Sequence, residues 1–524
     1  EHGARGAVEQ LRGEFAFVLF DERTQTLVAA RDGFGVRPLL LAERPHPGGP
    51  EWLLASEAKA LFAMGVEPRW NEAALAVACA FQYPPKDATI FEGVRQVQPG
   101  EILYLGAGEP PRREWVAARR RPWTGTFDEA ARELLATLKD AVRQRLRAEV
   151  PIAALLSGGL DSTIVAALAA RHFPGLPAYT VSFTAGGDHD EEALAARSAA
   201  ALGLDHRVVS LDAEALAAAL PTAVAHGEGL VINHHSAAKY LLMQRLAADG
   251  ITVALTGEGA DELFFGYAHL RADAGVPGLD QSNAASAGLM LPSDETQGAA
   301  RVRDLAPIAA ALGFVPTWVR AKAELGARVQ SLMHVDFRRH LESHRPTERF
   351  AASLADTVGA DRPTVAAETW TSHALTGYIL ETLSDRMELA HAVEGRPAFL
   401  DGRVAALARS LPTEFKIRGR QEKAVLREAV RGVIPEDVRL REKHPFLAPP
   451  APLHATRLWL ELDRPAFQSG GPFDRDRIAR RLRSLENADA RERAVWMPAV
   501  LLALSFAWLH DAYIARPAAA ALAR

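Results

Sequence analysis

Leu155-Leu156-Ser157-Gly158-Gly159-Leu160-Asp161-Ser162 decides how this chain is read. A short apolar run, Ile152 to Leu156, stops at a Ser-Gly-Gly-Leu-Asp-Ser turn, and the Ala-rich stretch Thr163 to Ala170 follows with helical character. Two glycines let backbone N–H groups close on an anion, and the helix N-terminus behind them adds the positive end of a dipole. Asp161 places a carboxylate at the mouth of the loop, where a phosphate-bound Mg²⁺ fits. The spacing differs from the Gly-x-x-x-x-Gly-Lys-Ser/Thr of the kinase-type loop. An ordinary Gly-rich strand-to-helix turn is the alternative at this point.

Outward from this loop, β-type and helical patterns alternate. Helical spacing over 127–149, 162–172, 190–203, 212–226 and 235–249 separates short runs at Ile152–Leu156, Tyr179–Phe183, His206–Ser210 and Val253–Thr256. Such alternation predicts a parallel sheet covered on both faces, with ligands beyond the carboxyl ends of its strands. Residues 14–105 read as largely β: Phe15–Phe20 and Leu27–Ala30 form a hairpin pattern, with further strands at Leu39–Ala42, Trp52–Ala55 and Glu101–Leu105. Residues 268–365 read as interrupted helix, and the remainder to 515 as mostly helical.

At 524 residues the chain is too long for one core. Its 48% hydrophobic and 24% charged residues are those of an ordinary globular protein, and a formal charge of -5 gives no ground for nucleic-acid binding. A single cysteine, Cys79, excludes an internal disulfide; it lies in the apolar run Leu75–Phe81 and reads as a core thiol. The longest apolar run, Trp496–Leu509, contains Pro498 and reads as too short for a bilayer and as a buried helix. Without a recognisable signal peptide, the expectation is a cytoplasmic protein with no membrane partner.

Three further blocks carry charge. Thr256-Gly257-Glu258-Gly259-Ala260-Asp261-Glu262 gathers three carboxylates after a predicted strand, an arrangement suited to a cation or a polar substrate. Asp261 would complete with Asp161 a pair of oxygen ligands for Mg²⁺ on pyrophosphate. In Asp385-Arg386-Met387-Glu388-Leu389-Ala390-His391-Ala392-Val393-Glu394-Gly395-Arg396-Pro397, the spacing by threes of Asp385, Glu388 and His391 puts them on one helix side before a turn at Arg396-Pro397. Lys416-Ile417-Arg418-Gly419-Arg420-Gln421-Glu422-Lys423-Ala424-Val425-Leu426-Arg427-Glu428 brings cations to a loop entering a helix, suited to polyphosphate charge. Solvated helix faces and loops are the plain alternatives for all three.

In order and spacing these four blocks resemble the motifs of glutamine-dependent asparagine synthetases. Leu11-Arg12-Gly13-Glu14-Phe15-Ala16-Phe17, Ala30-Arg31-Asp32-Gly33-Phe34-Gly35-Val36-Arg37-Pro38 and Ser56-Glu57-Ala58-Lys59-Ala60 resemble the second half of a class II glutamine amidotransferase domain. The resemblance implies an α/β chain: a partial β-rich αββα domain of the N-terminal-nucleophile type over 1–118, then a parallel-sheet ATP-pyrophosphatase domain with a helical C-terminal part over 119–524. It implies adenylation of a carboxylate, release of pyrophosphate, and attack of ammonia on the acyl-adenylate. ATP and Mg²⁺ are the implied cofactors; small molecules are the implied partners, with a homodimer or a separate glutaminase left open.

Residue by residue, the resemblance assigns ATP to Leu155, Ser157, Gly158, Gly159, Asp161, Ser162, Thr256 and Gly257, with adenine near Phe183. It assigns Mg²⁺–pyrophosphate to Asp161 and Asp261, acyl-AMP formation to Glu258, the reacting phosphates to Lys423, the acceptor acid to Asp385 and Arg386, and support of the site to Glu394. Two departures stand out. The family's Arg-Val-Pro-Phe-Leu-Asp is here Arg396-Pro397-Ala398-Phe399-Leu400-Asp401, which leaves room for an acceptor other than aspartate, as in lactam closure during natural-product or peptide maturation. Class II amidotransferases also use an N-terminal cysteine whose α-amine is the base, whereas this sequence begins at Glu1. A piece of a longer polypeptide, an ammonia-using form and a form fed by a separate glutaminase are the three explanations. The first ranks highest, since half a domain leaves apolar faces and strand edges in water. Glutamine hydrolysis is not expected of the sequence as it stands, and an inactive scaffold is the reading from a different class.

Overall fold

The computed structural model describes residues 3–47, 51–106, 110–116, 121–184, 191–277, 304–357, 359–442, 458, 460–468 and 471–515. The hairpin forms where the polar turn falls between two apolar runs: β1 (Ala16–Asp21) pairs antiparallel with β2 (Thr26–Arg31), Ala16 opposite Arg31 and Asp21 opposite Thr26. Five more strands follow: β3 (Leu40–Arg44), β4 (Glu51–Ala55), β5 (Val94–Gln96), β6 (Glu101–Gly106) and β7 (Arg112–Trp115). They complete two antiparallel sheets, ordered β1-β2-β6-β7 and β4-β3-β5. β1 is an edge strand, and its Val18, Leu19 and Phe20 are exposed. Helix Glu72–Phe81 starts where the Asn71 side chain accepts from the Ala74 N–H. Its apolar residues, Cys79 included, are buried, and burial pushes that thiol up to about 12.

The second sheet is parallel throughout. Its strands are β8 (Ile152–Leu155), β9 (Pro177–Phe183), β10 (Asp205–Leu211), β11 (Val253–Thr256) and β12 (Glu394–Pro397), in the order β10-β9-β8-β11-β12. From β8 the chain winds outward to β10, then returns to lay β11 on the other side. A crevice therefore opens beyond the carboxyl ends of β8 and β11, where doubly wound sheets bind ligands. β12 corrects the expectation of a helix ending in a turn at Arg396-Pro397. It pairs Gly395 with Ala254 of β11, and a Cβ at Gly395 would lie 2.1 Å from Glu388 Oε2, so a larger residue would push that carboxylate aside. Helix Phe127–Arg145 covers the sheet, started by a reciprocal Thr126–Glu129 capping box.

Helices Thr317–Ser331, Pro346–Leu354 and Arg362–Trp370 and a wide, π-type segment Thr371–Asp385 build the helical part. Residues 278–303 of the stretch read as interrupted helix, and 443–457 further on, lie outside the described residues. The apolar C-terminal run belongs to a longer helical rod than its sequence suggested, Ala490–Ile514, the one described helix long and apolar enough to cross a membrane. Its apolar window is 72% buried inside the protein, against Thr317–Ser331 among others. Trp70 stacks on its Phe506 with ring centroids 4.6 Å apart.

Buried ion pairs join the β-rich part to the rest. Arg145 reaches Glu14 at 2.5 Å and Asp401 at 3.0 Å, and Arg12 holds both Asp401 and Asp140. Glu228 accepts from the N–H groups of Ala58 and Lys59 at 2.7 and 2.9 Å. Leaving one of the buried charges Arg145, Glu14 or Asp401 unpartnered would cost several kcal/mol, about 3–5, whereas the partly exposed Arg12–Asp140 pair contributes less, so the buried pairs fix how the two parts meet.

Candidate active site

The loop after β8 turns because Gly158 adopts φ +73°, a left-handed conformation that glycine takes without strain. The Ser157 N–H donates to Ser162 Oγ at 3.2 Å, Ser162 Oγ donates to the Gly159 carbonyl at 3.2 Å, and the Gly159 N–H donates to Ser157 Oγ at 3.3 Å. These bonds brace the start of helix Leu160–Ala170, whose first N–H groups have no side-chain cap. Uncapped first-turn N–H groups and the helix dipole make an anion seat. The loop after β11 packs on this seat so closely that a Cβ at Gly257 would lie 2.9 Å from Ser162 N.

Between the two loops lies a cavity of about 290 Å³. Leu155, Ser157, Gly159, Asp161, Ser162, Thr256, Gly257, Glu258, Asp261 and Lys423 all line it, so most residues singled out from sequence converge on one space. Lys423 is the keystone. Its residue has φ +54°, its side chain is 1% exposed, and Nζ stands 2.8 and 2.6 Å from the two oxygens of Asp161 and 2.5 Å from Asp261 Oδ1. Gly266 makes that meeting sterically feasible: a Cβ there would lie 2.0 Å from Asp261 Oδ1 and 2.2 Å from Lys423 Cε. Beside Asp261, Glu262 accepts from the Tyr267 hydroxyl at 2.8 Å and from Trp370 Nε1 at 3.2 Å. Burial, aided by the Asp261 charge, pushes its carboxyl up to about 7.

Glu258 sits at the cavity wall, where Oε1 accepts from Ser384 Oγ at 2.6 Å and Oε2 from Thr256 Oγ1 at 3.1 Å. Lys239, from helix His235–Ala248, brings Nζ 3.0 Å from Glu388 Oε1 and 3.6 Å from Glu258 Oε1. Burial works against its charge, but Glu258 and Glu388 outweigh it and hold the ammonium above the usual lysine range. Sequence reading missed Lys239 and Ser384. The one usable signal was a lone lysine in the largely apolar stretch Ala237–Met243.

Five of the residues singled out from sequence do not line the cavity. Gly158 turns the chain against helix Glu192–Leu202, where a Cβ would meet Ala195 N at 2.8 Å. Phe183 is buried in the core, while Tyr179 and Val181 of the same strand line the cavity instead. Asp385 accepts from Arg37 at 2.5 Å, and its carboxyl is pushed up to about 6 by burial, which outweighs the Arg37 charge. Arg386 is fully buried among Glu228, Glu381 and Glu57, at 3.3, 3.1 and 3.7 Å; burial works against its charge, and these carboxylates raise its pKa regardless. Glu394 is half-exposed and pairs with Arg396 at 2.8 Å and Arg37 at 3.5 Å.

Asp385, Glu388 and His391 thus do not share the expected helix side. The helix Arg386–Leu389 ends before His391, and Asp385 just before it and Glu388 within it turn inward to Arg37 and Lys239. The cationic block also divides: Lys423 and Arg427 line the cavity, whereas Lys416 stands 4.2 Å over the Phe265 ring and Arg418 3.5 Å over Phe127.

Fold and cavity define an α/β enzyme with an anion-binding crevice at the switch point of a parallel sheet. The family model of asparagine synthase matches residues 133–511, and that of the glutamine amidotransferase domain matches residues 1–116. The putative glutamine-hydrolyzing asparagine synthetase of Mycobacterium bovis is 32% identical over 470 residues, spanning 86% of this chain and 69% of that protein. Glutamine-hydrolyzing asparagine synthetase 1 of Bacillus subtilis is 28% identical over 473 residues, 88% and 70% of the two chains. Amidase chry2 of Gibberella zeae is 28% identical over 489 residues, 86% and 71%. This chain belongs to the asparagine synthase family. It is a ligase that forms carbon–nitrogen bonds with ATP, and its family works on small molecules: ATP, aspartate, and glutamine or ammonia.

Proposed function

We propose that the chain activates a carboxylic acid as its adenylate and converts it to an amide, with aspartate as the acid and asparagine as the product. A carboxylate oxygen attacks the α-phosphorus of ATP, the bond to the β-phosphate bridging oxygen breaks, and pyrophosphate leaves. The nitrogen of ammonia then attacks the acyl carbon, AMP leaves with the electron pair of the broken C–O bond, and the nitrogen sheds a proton. The observation that carries this reading is Lys423 buried between Asp161 and Asp261, at the ends of the two loops.

Asp161 and Asp261, on the two facing loops and both in reach of the Lys423 ammonium, are two carboxylates of the kind Mg²⁺ takes together with phosphate oxygens. Asp161 and Asp261 would hold the ion, which when bound neutralises charge on the leaving pyrophosphate. The loop Ser157–Ser162, with Thr256 and Gly257, seats the phosphates through backbone N–H groups. Lys423 offers its ammonium to the charge that develops at the α-phosphorus, a contribution of about 3 kcal/mol. Glu258, held by Thr256 and Ser384 and facing Lys239, orients the acid for attack. An inactive scaffold has no use for three charges packed this closely in one cavity.

A second reading keeps the adenylation and changes the acid. Asp385 and Arg386, the residues expected to hold aspartate, turn instead into buried pairs with Arg37, Glu228 and Glu381, and amidase chry2 is among the relatives. Acid-dependent exchange of labelled pyrophosphate into ATP separates the two. Exchange with aspartate supports the first reading and exchange only with another acid the second; exchange with no acid across a broad panel overturns both.

A further inference from the structure

Outside the cavity lining, one surface cluster brings together metal-ligating side chains from two elements. Glu72 opens helix Glu72–Phe81, and helix Val335–Ser343 carries His340, with His344 just past its end. A spacing of four puts both imidazoles on the same side of that helix. His340 Nε2 lies 2.8 Å and His344 Nε2 3.6 Å from the same atom, Glu72 Oε2. One donor atom from each of the three residues falls within 4.8 Å of the others. The two rings meet edge to face, centroids 5.1 Å apart.

Zinc bonds of about 2.0–2.2 Å in a tetrahedron separate neighbouring ligand atoms by about 3.3–3.6 Å. The two distances to Glu72 bracket that separation. A second observation points the same way: His344 Nε2 is buried and has no hydrogen-bond partner. An imidazole nitrogen in that state carries a desolvation cost that a metal bond would remove. Among the described residues no lysine or arginine pairs with Glu72, so its carboxylate faces only the two imidazoles.

We propose that Glu72, His340 and His344 bind a divalent transition metal of the zinc type, with solvent completing the coordination. Two imidazoles and one carboxylate are borderline-soft donors that favour Zn²⁺, Co²⁺ or Ni²⁺ over Mg²⁺ or Ca²⁺. Glu72 lies in the segment matched by the amidotransferase domain and both histidines in the asparagine synthase segment. The metal therefore clamps the two parts together, and chemistry at the cavity does not need it.

The test uses the whole chain without a histidine tag, stripped of metal and titrated with Co²⁺. One equivalent binds with the visible absorption of a low-coordinate nitrogen–oxygen site, Zn²⁺ displaces it, and Zn²⁺ raises the melting temperature. His340→Ala and His344→Ala each weaken Co²⁺ binding by more than about tenfold and remove the Zn²⁺ effect on melting, with pyrophosphate exchange retained. Glu72→Gln keeps the side-chain shape and gives the same loss should a histidine variant fold poorly. Absence of a saturable Co²⁺ signal, or equal affinity in wild type and the folded variants, overturns the proposal, the latter marking an adventitious ion only.

Discussion

Replacing Lys423 with methionine removes one ammonium and leaves most of the stem in place. In the wild type Nζ sits 2.5–2.8 Å from three carboxylate oxygens with 1% of the side chain exposed. At an effective dielectric constant of about 20, a charge pair near 4 Å is worth about 4 kcal/mol. A preorganised donor lost from a developing negative charge costs about 3–4 kcal/mol, a rate factor of about 10²–10³. The expected outcome is a fall of that size in acid-dependent pyrophosphate exchange. Folding stability also falls, because Asp161 and Asp261 are left facing each other. Each is 12% exposed at a cavity that admits water, so that loss stays at the low end of the roughly 3–5 kcal/mol for a broken buried pair. Exchange is measured at saturating acid, with melting curves run alongside, and Lys423→Arg tests charge against geometry. A folded methionine variant within about threefold of wild type, less than 1 kcal/mol, would refute the role given to the lysine.

Gly266→Ala would push a methyl group to within 2.0 Å of Asp261 Oδ1 and 2.2 Å of Lys423 Cε; exchange falls at least about tenfold with circular dichroism unchanged, since overpacking costs about 1–3 kcal/mol, and undiminished exchange would show that the trio need not meet so closely. Glu262, pushed up to about 7, keeps its proton in the fold after the unfolded chain has lost it, so its own contribution to stability falls by about 3 kcal/mol as pH rises from about 4.5 through 7. In urea titrations at about pH 5 and about pH 8, the stability of wild type relative to Glu262→Gln falls by that amount between the two, and a difference that does not change with pH contradicts the assignment. Lys322, buried beside the rings of Tyr83 and Trp370 at 5.7 and 6.0 Å, is lowered to about 7 by burial. Its unfolded form stays charged up to about 10.5, so the contribution of Lys322 to stability rises with pH from about 7 to 10.5. Lys322→Met gains stability at pH 7 and below and loses this pH dependence; a variant less stable than wild type at pH 6 would show that the ammonium has favourable partners.

The parallel sheet was legible because its strands are apolar runs between amphipathic helices. Both phosphate-type loops were legible because glycine and acidic residues cluster where those runs end. β12 was not: Glu394-Gly395-Arg396-Pro397 has neither apolar alternation nor a β-branched residue, and it pairs only because β11 offers a free edge. Lys423 entered through the resemblance, since a lysine among many cations carries no mark of the 262-residue separation across which it finds Asp161. Spacing by threes gave Asp385, Glu388 and His391 a shared face, but the helix ends at Leu389, and the partner of Asp385 is Arg37, 348 residues away. Long-range charge pairing of that kind leaves no local pattern. Cys79 needed no such pairing to be placed, because six apolar neighbours in the run Leu75–Phe81 already put it in the core.

The central claim is that ATP is split between its α and β phosphates to activate an acid. Phosphorus NMR of a turnover mixture containing the chain, ATP, Mg²⁺, ammonia and an acid that supports exchange reads this directly. AMP and pyrophosphate accumulating together, one of each per amide formed, is the predicted result. ADP and orthophosphate accumulating in step with the amide would contradict it.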